Sequence, residues 1–352
     1  MTHSLIDTLG PEKTRIAVSD DASGLVDSFS RSISYLRLSV TDRCDLRCTY
    51  CMPERMNFLP KKDVLSFEEL VQITDAFISR GITKLRITGG EPLLRRDMLS
   101  LMERLSRRLD DGGLKELCLT TNGTQLAKHA ADLARFGVRR VNVSLDTLDR
   151  QTFFRLTRRD VLADVLRGLD AAREAGLKVK INTVALADAN RDEIPQIIEW
   201  AHKQAFDISL IEVMPMGEGV AGRPASYLSL QDVRADLEKS WTLTDDAYSS
   251  GGPSRYVRVG ETSGRLGFIS PLSHNFCSDC NRVRMTCTGR LYTCLGHEDG
   301  ADLRQALRDD PTLEKLHRAV ETAVRFKPER HDFDVRTLAD PASPRTMSTT
   351  GG

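Results

Sequence analysis

Seven of the eight cysteines in this chain fall into two groups whose spacing suits metal chemistry. Cys44, Cys48 and Cys51 form C-x3-C-x2-C on one short stretch. Three thiolates on one loop can hold three irons of a [4Fe–4S] cluster. The fourth iron then lacks a protein ligand and can chelate a small molecule, whereas an electron-transfer cluster normally takes four cysteines. The arrangement follows the logic of a catalytic metal with an open coordination position. Zinc suits this spacing poorly, because structural zinc takes four ligands and favours C-x2-C knuckles. The second group, Cys277, Cys280 and Cys294, gives C-x2-C-x13-C, with Cys287 between them as a fourth thiol that could also ligate. Taken alone, this group reads passably as a zinc site. Cys118 stands apart in the apolar run Leu117–Leu119 and reads as a buried core thiol.

Both groups need a scaffold that brings distant segments together. Short β-rich runs at Tyr35–Val40, Lys84–Thr88, Glu116–Thr121, Arg140–Leu145, Lys178–Val184 and Ile208–Val213 alternate with amphipathic stretches such as Phe67–Ser79 and Leu162–Ala175. Ser66 followed by Glu69 is a capping-box signature for the first helix. Gly81, Gly137 and Gly176 each close a helical pattern as C-terminal glycines do. Repeated strand–helix units predict a parallel sheet with helices outside. A closed eight-fold barrel needs about 250 residues and only about 180 are available here, so the expectation is an open α/β barrel of TIM type, (βα)6. Ligands in such folds gather at the C-terminal ends of the strands. Cys44–Cys51, Gly89–Pro92, Thr120–Gly123 and Ser144–Asp146 all lie at those ends.

The expected organisation is a mobile extension over residues 1–34, the partial barrel over 35–228, a C-terminal region over 229–340 and a loop-like tail over 341–352. Within the C-terminal region, a helix at Leu230–Lys239, β runs at Tyr256–Val259 and Arg265–Ser270, and helices at Asp302–Arg308 and Leu313–Ala323 are expected. Lys+Arg and Asp+Glu both number 50, so the formal net charge is zero, which gives a nucleic-acid or membrane-surface role no electrostatic support. The chain shows no apolar run of transmembrane length and no secretory h-region near its start. The expected location is the cytoplasm, where thiols stay reduced.

The first cysteine loop resembles that of the radical S-adenosylmethionine superfamily. The resemblance extends to Tyr50 and to Gly89-Gly90-Glu91-Pro92 after the second strand. It implies that the open iron chelates the amino and carboxylate groups of S-adenosylmethionine. The glycine-rich turn would then cradle the amino end, since glycine lets backbone approach a ligand. Around the second group, His274-Asn275-Phe276-Cys277-Ser278-Asp279-Cys280-Asn281-Arg282-Val283-Arg284, with Gly289-Arg290-Leu291 and Cys294-Leu295, looks like the C-terminal signature of the GTP 3′,8-cyclase family. Further matches are Leu36–Arg43, Thr120–Gly123, Asn142–Asp146, Lys180–Val184 and Ile211–Met214, and the resemblance runs from about Tyr35 to Gly352.

That resemblance implies two [4Fe–4S] clusters, the second held by Cys277, Cys280 and Cys294 with its open iron toward the guanine base, and Cys287 left to packing. It implies conversion of GTP to (8S)-3′,8-cyclo-7,8-dihydroguanosine 5′-triphosphate, the first step of molybdenum cofactor biosynthesis. The partners implied are a one-electron reductant and, downstream, cyclic pyranopterin monophosphate synthase; a homodimer is one assembly it allows. By the same resemblance, S-adenosylmethionine meets Tyr50, Gly90, Ser144 and Met214. GTP meets Arg37, Arg86, Thr120, Lys180, Arg282, Val283 and Arg284. Arg282, Arg284, Gly351 and Gly352 form the catalytic set, with the two terminal glycines reaching into the cavity to order an arginine. A lone cation on a barrel strand more often faces solvent, so the inward direction of Arg37, Arg86 and Lys180 rests on this context. Arg282 and Arg284, two apart, point the same way if extended. Ser209 stands where relatives carry an arginine, which removes a fixed charge from the barrel wall. Two rival readings are a peptide-modifying radical enzyme, which typically carries more cysteines after the barrel, and a non-catalytic zinc-binding regulator.

Overall fold

A computed structural model describes residues 24–217, 223–339 and 341–351. Six strands, β1 (Tyr35–Ser39), β2 (Lys84–Thr88), β3 (Glu116–Thr121), β4 (Arg140–Ser144), β5 (Lys178–Ala185) and β6 (Asp207–Glu212), run parallel in sequence order. Each lies within one or two residues of its predicted run. Helices α1 (Phe67–Ile78), α2 (Met98–Asp110), α3 (Leu126–Arg135), α4 (Arg150–Thr157), α5 (Leu162–Glu174) and α6 (Ile194–Lys203) connect them. The capping box of α1 is complete: Ser66 Oγ accepts from the Glu69 amide at 3.1 Å, and the Glu69 carboxylate accepts from the Ser66 amide at 2.7 Å. Gly81, Gly137 and Gly176 all adopt positive φ at the ends of their helices.

The C-terminal region joins the sheet at both edges. After α7 (Arg223–Ser226) and α8 (Leu230–Glu238) come β7 (Leu243–Asp246), β8 (Arg255–Val259), β9 (Arg265–Ile269), β10 (Arg282–Met285), β11 (Arg290–Tyr292) and β12 (Gly300–Asp302). β9 pairs in parallel with β6, and β10 in parallel with β1. The parallel arc therefore holds eight strands, the outer two supplied from beyond the sixth strand–helix unit. β8–β7 and β11–β12 extend it antiparallel to a twelve-stranded sheet. Helices α9 (Leu303–Arg308), α10 (Glu314–Arg325) and α11 (Met347–Thr350) follow. Among the described residues no helix is long and apolar enough to cross a membrane.

Strand side chains alternate between a helix-covered core and an inner chamber. Leu36 and Leu38 of β1, Leu85 and Ile87 of β2, and Val141 and Val143 of β4 are completely buried in the core. Arg37, Arg86, Asn142 and Ser144, on the alternate positions, line the chamber. The expected mobile extension to residue 34 does not hold for its last part. Leu25 and Ile33 are buried in the core, Val26 bridges Ser32, and the Ser34 amide donates to the Asn281 carbonyl at 3.1 Å. Two apolar side chains that find core positions are enough to anchor a polar stretch. Residues 1–23 lie outside the described residues.

Candidate active site

Register places the inward side chains in rows. Arg37 of β1 stands opposite Arg86 of β2 and Arg284 of β10, and Asn142 of β4 stands between Thr120 of β3 and Lys180 of β5. Arg86 donates to the Tyr35 hydroxyl and, through Nη1, to Thr120 Oγ1 at 3.2 Å. Lys180 Nζ donates to the Tyr256 hydroxyl at 2.7 Å. These cations lean on neutral acceptors and on one another. Burial, with Arg86 and Arg282 beside it, lowers Arg37 to about 10. Burial, with Arg37 and Arg282, holds Arg284 well below the ordinary arginine value. Burial, with Arg86 and Arg140, does the same to Lys180. Buried charges of one sign are costly without compensation, so the chamber is suited to a polyanion. The Oδ1 atoms of Asn142 and Asn182 are buried there and find no hydrogen-bond donor among the described residues.

The two cysteine groups open on this chamber from opposite ends. Cys44, Cys48 and Cys51 follow the C-terminal end of β1 and line the cavity with Tyr50. Cys277 and Cys280 precede β10, and Cys294 follows β11, which runs antiparallel to β10. All three thus belong to the N-terminal end of the parallel arc. Tyr35 is paired with Arg282, and the strand from there to Ser39 alone spans about 13 Å. The arginine row lies between the two levels. Cys287 is completely buried behind the wall, does not line the cavity, and offers its carbonyl to the Leu65 amide at 2.8 Å. Cys118 is a buried core thiol as expected, donating to the Leu85 carbonyl at 3.6 Å.

The first trio fits a cluster. Leu46 N donates to Cys44 Sγ at 3.4 Å and Asn122 Nδ2 at 3.6 Å. Burial, then neighbouring Glu91, pushes Cys44 up to about 12; burial pushes Cys51 up to about 12 and Cys48 well above its usual value. Such thiols are protonated until a metal displaces the protons. Glu91, raised to about 7 by burial, accepts from Thr121 Oγ1 at 2.8 Å, Asn122 N at 2.6 Å and Leu93 N at 3.0 Å. It ties the glycine-rich turn to the end of β3. A Cβ on Gly90 would lie 2.3 Å from the Arg43 carbonyl oxygen. The glycine is therefore required by the backbone leading into the cysteine loop, a different reason from the ligand approach read in the sequence. Tyr50 donates to Asp146 Oδ2 at 2.6 Å, and Ser144 and Met214 line the same end.

The second trio has cationic surroundings. Burial alone would raise Cys280, but Arg282 and Lys327 outweigh it and bring the thiol down to about 6. Burial raises Cys294. The C-terminal tail closes the chamber. Arg345 spans the Leu295 and His297 carbonyls at 3.1 and 2.5 Å and stacks 3.7 Å over Tyr292. Met347 and Ser348 line the cavity, and the Gly351 carbonyl accepts from Arg284 Nη1 at 2.6 Å. Gly351 has φ +77°, and a Cβ there would sit 2.2 Å from Thr88 Cγ2.

Arg37, Tyr50, Arg86, Gly90, Thr120, Ser144, Lys180, Met214, Arg282, Arg284 and the six cysteines are thus brought to one cavity. Val283 is not: its side chain is fully buried in the core, because it alternates with the two arginines along β10. Gly352 lies outside the described residues. At the departure from relatives, Ser209 Oγ meets Ser254 Oγ at 2.8 Å, and a Cβ on Gly267 would clash with both. That part of the wall is neutral and closed by small side chains. Phe333 and the 250–253 loop line the cavity without having been singled out in the sequence, and Asn142, Asn182 and Phe276, quoted there only within matching stretches and assigned no role, line it too. For the two asparagines the signal was available, since each lies two residues along a strand from an assigned position.

A family model described as Radical SAM superfamily matches residues 38–201, and one described as Molybdenum Cofactor Synthesis C matches residues 206–333. A GTP 3′,8-cyclase of Erythrobacter litoralis is 60% identical over 94% of this chain and 99% of its own length. Those of Nitrobacter winogradskyi and Agrobacterium fabrum are 57% and 55% identical, over 93% and 97% of this chain and 96% and 98% of theirs. The crystal structure of Streptococcus suis SuiB bound to S-adenosylmethionine superposes with a TM-score of 0.59 at 16% identity, covering 90% of this chain and 77% of that one, a likeness of fold. With both family models and full-length relatives at this identity, the chain belongs to the GTP 3′,8-cyclase family of the radical S-adenosylmethionine superfamily.

Proposed function

We propose that the protein converts GTP to (8S)-3′,8-cyclo-7,8-dihydroguanosine 5′-triphosphate, the first step of molybdenum cofactor biosynthesis, using two [4Fe–4S] clusters. The observation that carries this reading is the single chamber that opens to a cysteine trio at each end and holds a row of buried cations between them. Cys44, Cys48 and Cys51 would hold the first cluster, which with S-adenosylmethionine supplies the radical that removes the ribose 3′ hydrogen. Tyr50, Gly90, Ser144 and Met214 position that cofactor. Cys277, Cys280 and Cys294 would hold the second cluster.

Arg37, Arg86, Lys180, Arg282 and Arg284, with Thr120, bind and orient the nucleotide. A triphosphate would give these buried cations counter-charge, and the guanidinium fork suits phosphate oxygens. Arg284 is held in place by the Gly351 carbonyl, so the tail fixes an arginine beside the reacting nucleotide and shields it from water. The product would pass to cyclic pyranopterin monophosphate synthase, and a one-electron reductant would feed the first cluster.

Anaerobic reconstitution with iron and sulfide, followed by reaction with GTP, S-adenosylmethionine and dithionite, tests the reading. About eight irons per chain and a cyclised nucleotide are expected. Zinc in place of iron, or 5′-deoxyadenosine without any change in GTP, would overturn it.

A further inference from the structure

A buried ion pair near the start of the described chain reaches the second cysteine group. Asp27 and Arg31 are 5% and 8% exposed, and Arg31 Nε donates to Asp27 Oδ2 at 2.6 Å. They share a tight turn in which Asp27 Oδ1 accepts the amides of Phe29 and Arg31 at 2.9 and 3.0 Å. The rest of the guanidinium goes to three main-chain carbonyls: Nη1 to Cys277 at 2.8 Å and Glu329 at 2.6 Å, and Nη2 to Pro328 at 2.6 Å. The Cys277 carbonyl also accepts the Cys280 amide at 3.2 Å, which is the turn that spaces these two cysteines. Next to Pro328 is Lys327, only 3% exposed. Its Nζ donates to the Thr293 carbonyl at 2.5 Å and to Cys280 Sγ at 3.5 Å. One ammonium thus reaches a ligand sulfur on one segment and the backbone beside Cys294 on another. Burying an ammonium is unfavourable unless it is paired, and a sulfur carrying negative charge at Cys280 is the partner the geometry offers.

We propose that Lys327, locked in place by the Asp27–Arg31 pair, is the positioning residue of the second iron–sulfur cluster, holding Cys280 and Cys294 together and raising the cluster's reduction potential through an N–H···S bond. This rests on the two-cluster reading above. A donor to a ligand sulfur favours the more negative, reduced cluster. The Arg31 fork is suited to the locking role, because it meets the Asp27 carboxylate and three carbonyls at once, one acceptor more than the three N–H groups of a lysine can take.

The test is made on the full chain reconstituted anaerobically, comparing wild type with Lys327→Met and Arg31→Lys. Iron content, iron release to a chelator and EPR-monitored redox titration are measured. In Lys327→Met, one of the two midpoint potentials is expected to fall while the other stays at its wild-type value, and half of the iron is expected to leave several-fold faster. The unmoved signal shows that the barrel is folded. Arg31→Lys is expected to speed release of that same half. Should the methionine variant not fold, Lys327→Gln, which removes the charge but keeps an N–H, is expected to lower the same potential by less. Unchanged potentials and a single release rate in the Lys327 variant would overturn the proposal. A wild-type protein that takes up only about four irons would instead overturn the two-cluster reading itself.

Discussion

Cys44, Cys48 and Cys51 hang on one loop, and burial pushes their thiols up, two of them to about 12. At the other end of the barrel Cys280 is brought down to about 6, with Arg282 and Lys327 outweighing burial. The first group is built locally, and one loop with its glycine-rich neighbour suffices. The second is assembled from segments far apart in the chain: Arg31 near its start, and the segments around Cys277, Cys294 and Lys327 in its last quarter. The contrast shows how one cavity can set carboxylates beside the thiols at one end and cations beside a thiol at the other.

The largest effect separates the two ends outright. Cys48→Ala should abolish reductive cleavage of S-adenosylmethionine while about four irons remain at the second site; 5′-deoxyadenosine formed at the normal rate would break the comparison. At the other end, Cys294→Ala should remove about four irons and stop cyclisation, and Cys287→Ala should keep all of them. The reverse pattern in iron analysis would move the third ligand to Cys287. Gly351→Ala forces a Cβ against Thr88 and should displace the carbonyl that holds Arg284, slowing cyclisation by about a hundredfold with iron content unchanged. Normal turnover would show that the tail's contact is incidental. Arg284→Ala removes a charge-assisted contact, with an expected loss of about 1.5–3 kcal/mol in GTP binding, measurable by equilibrium titration. The smallest effect is on the metal-free protein under reducing conditions. Cys280, whose pKa is lowered, is a thiolate above about pH 6 and loses reactivity as pH falls through that value. Alkylation read by mass spectrometry should therefore label Cys280 near neutral pH well before Cys48. Equal labelling would remove the electrostatic half of the contrast.

Much of the barrel was legible in the sequence. The six parallel strands, the capping box at Ser66 and the helix-ending glycines follow from period, caps and backbone geometry, which are local properties. The first cysteine trio was legible for the same reason. The packing of residues 24–34 was not, because a polar stretch with two apolar anchors carries no period. Nor was the core position of Val283: resemblance marks a motif as a block, whereas strand alternation sends its middle residue to the opposite face.

The sequence by itself determined the family, the cluster-bearing loop and the cation types, because spacing and side-chain chemistry are written residue by residue. The tertiary structure decided which thiols face the cavity: Cys287 follows the C-terminal end of β10 and is buried beside Leu65, whereas Cys294 follows β11 at the opposite end and lines the cavity. It also decided the levels. Because β10 pairs in parallel with β1, residues about 240 positions apart in sequence sit at opposite ends of one strand length, with the arginine row between them. Strand pairing of this kind joins segments through main-chain hydrogen bonds that any residue except proline can make, so it is settled only when the whole sheet closes around its core.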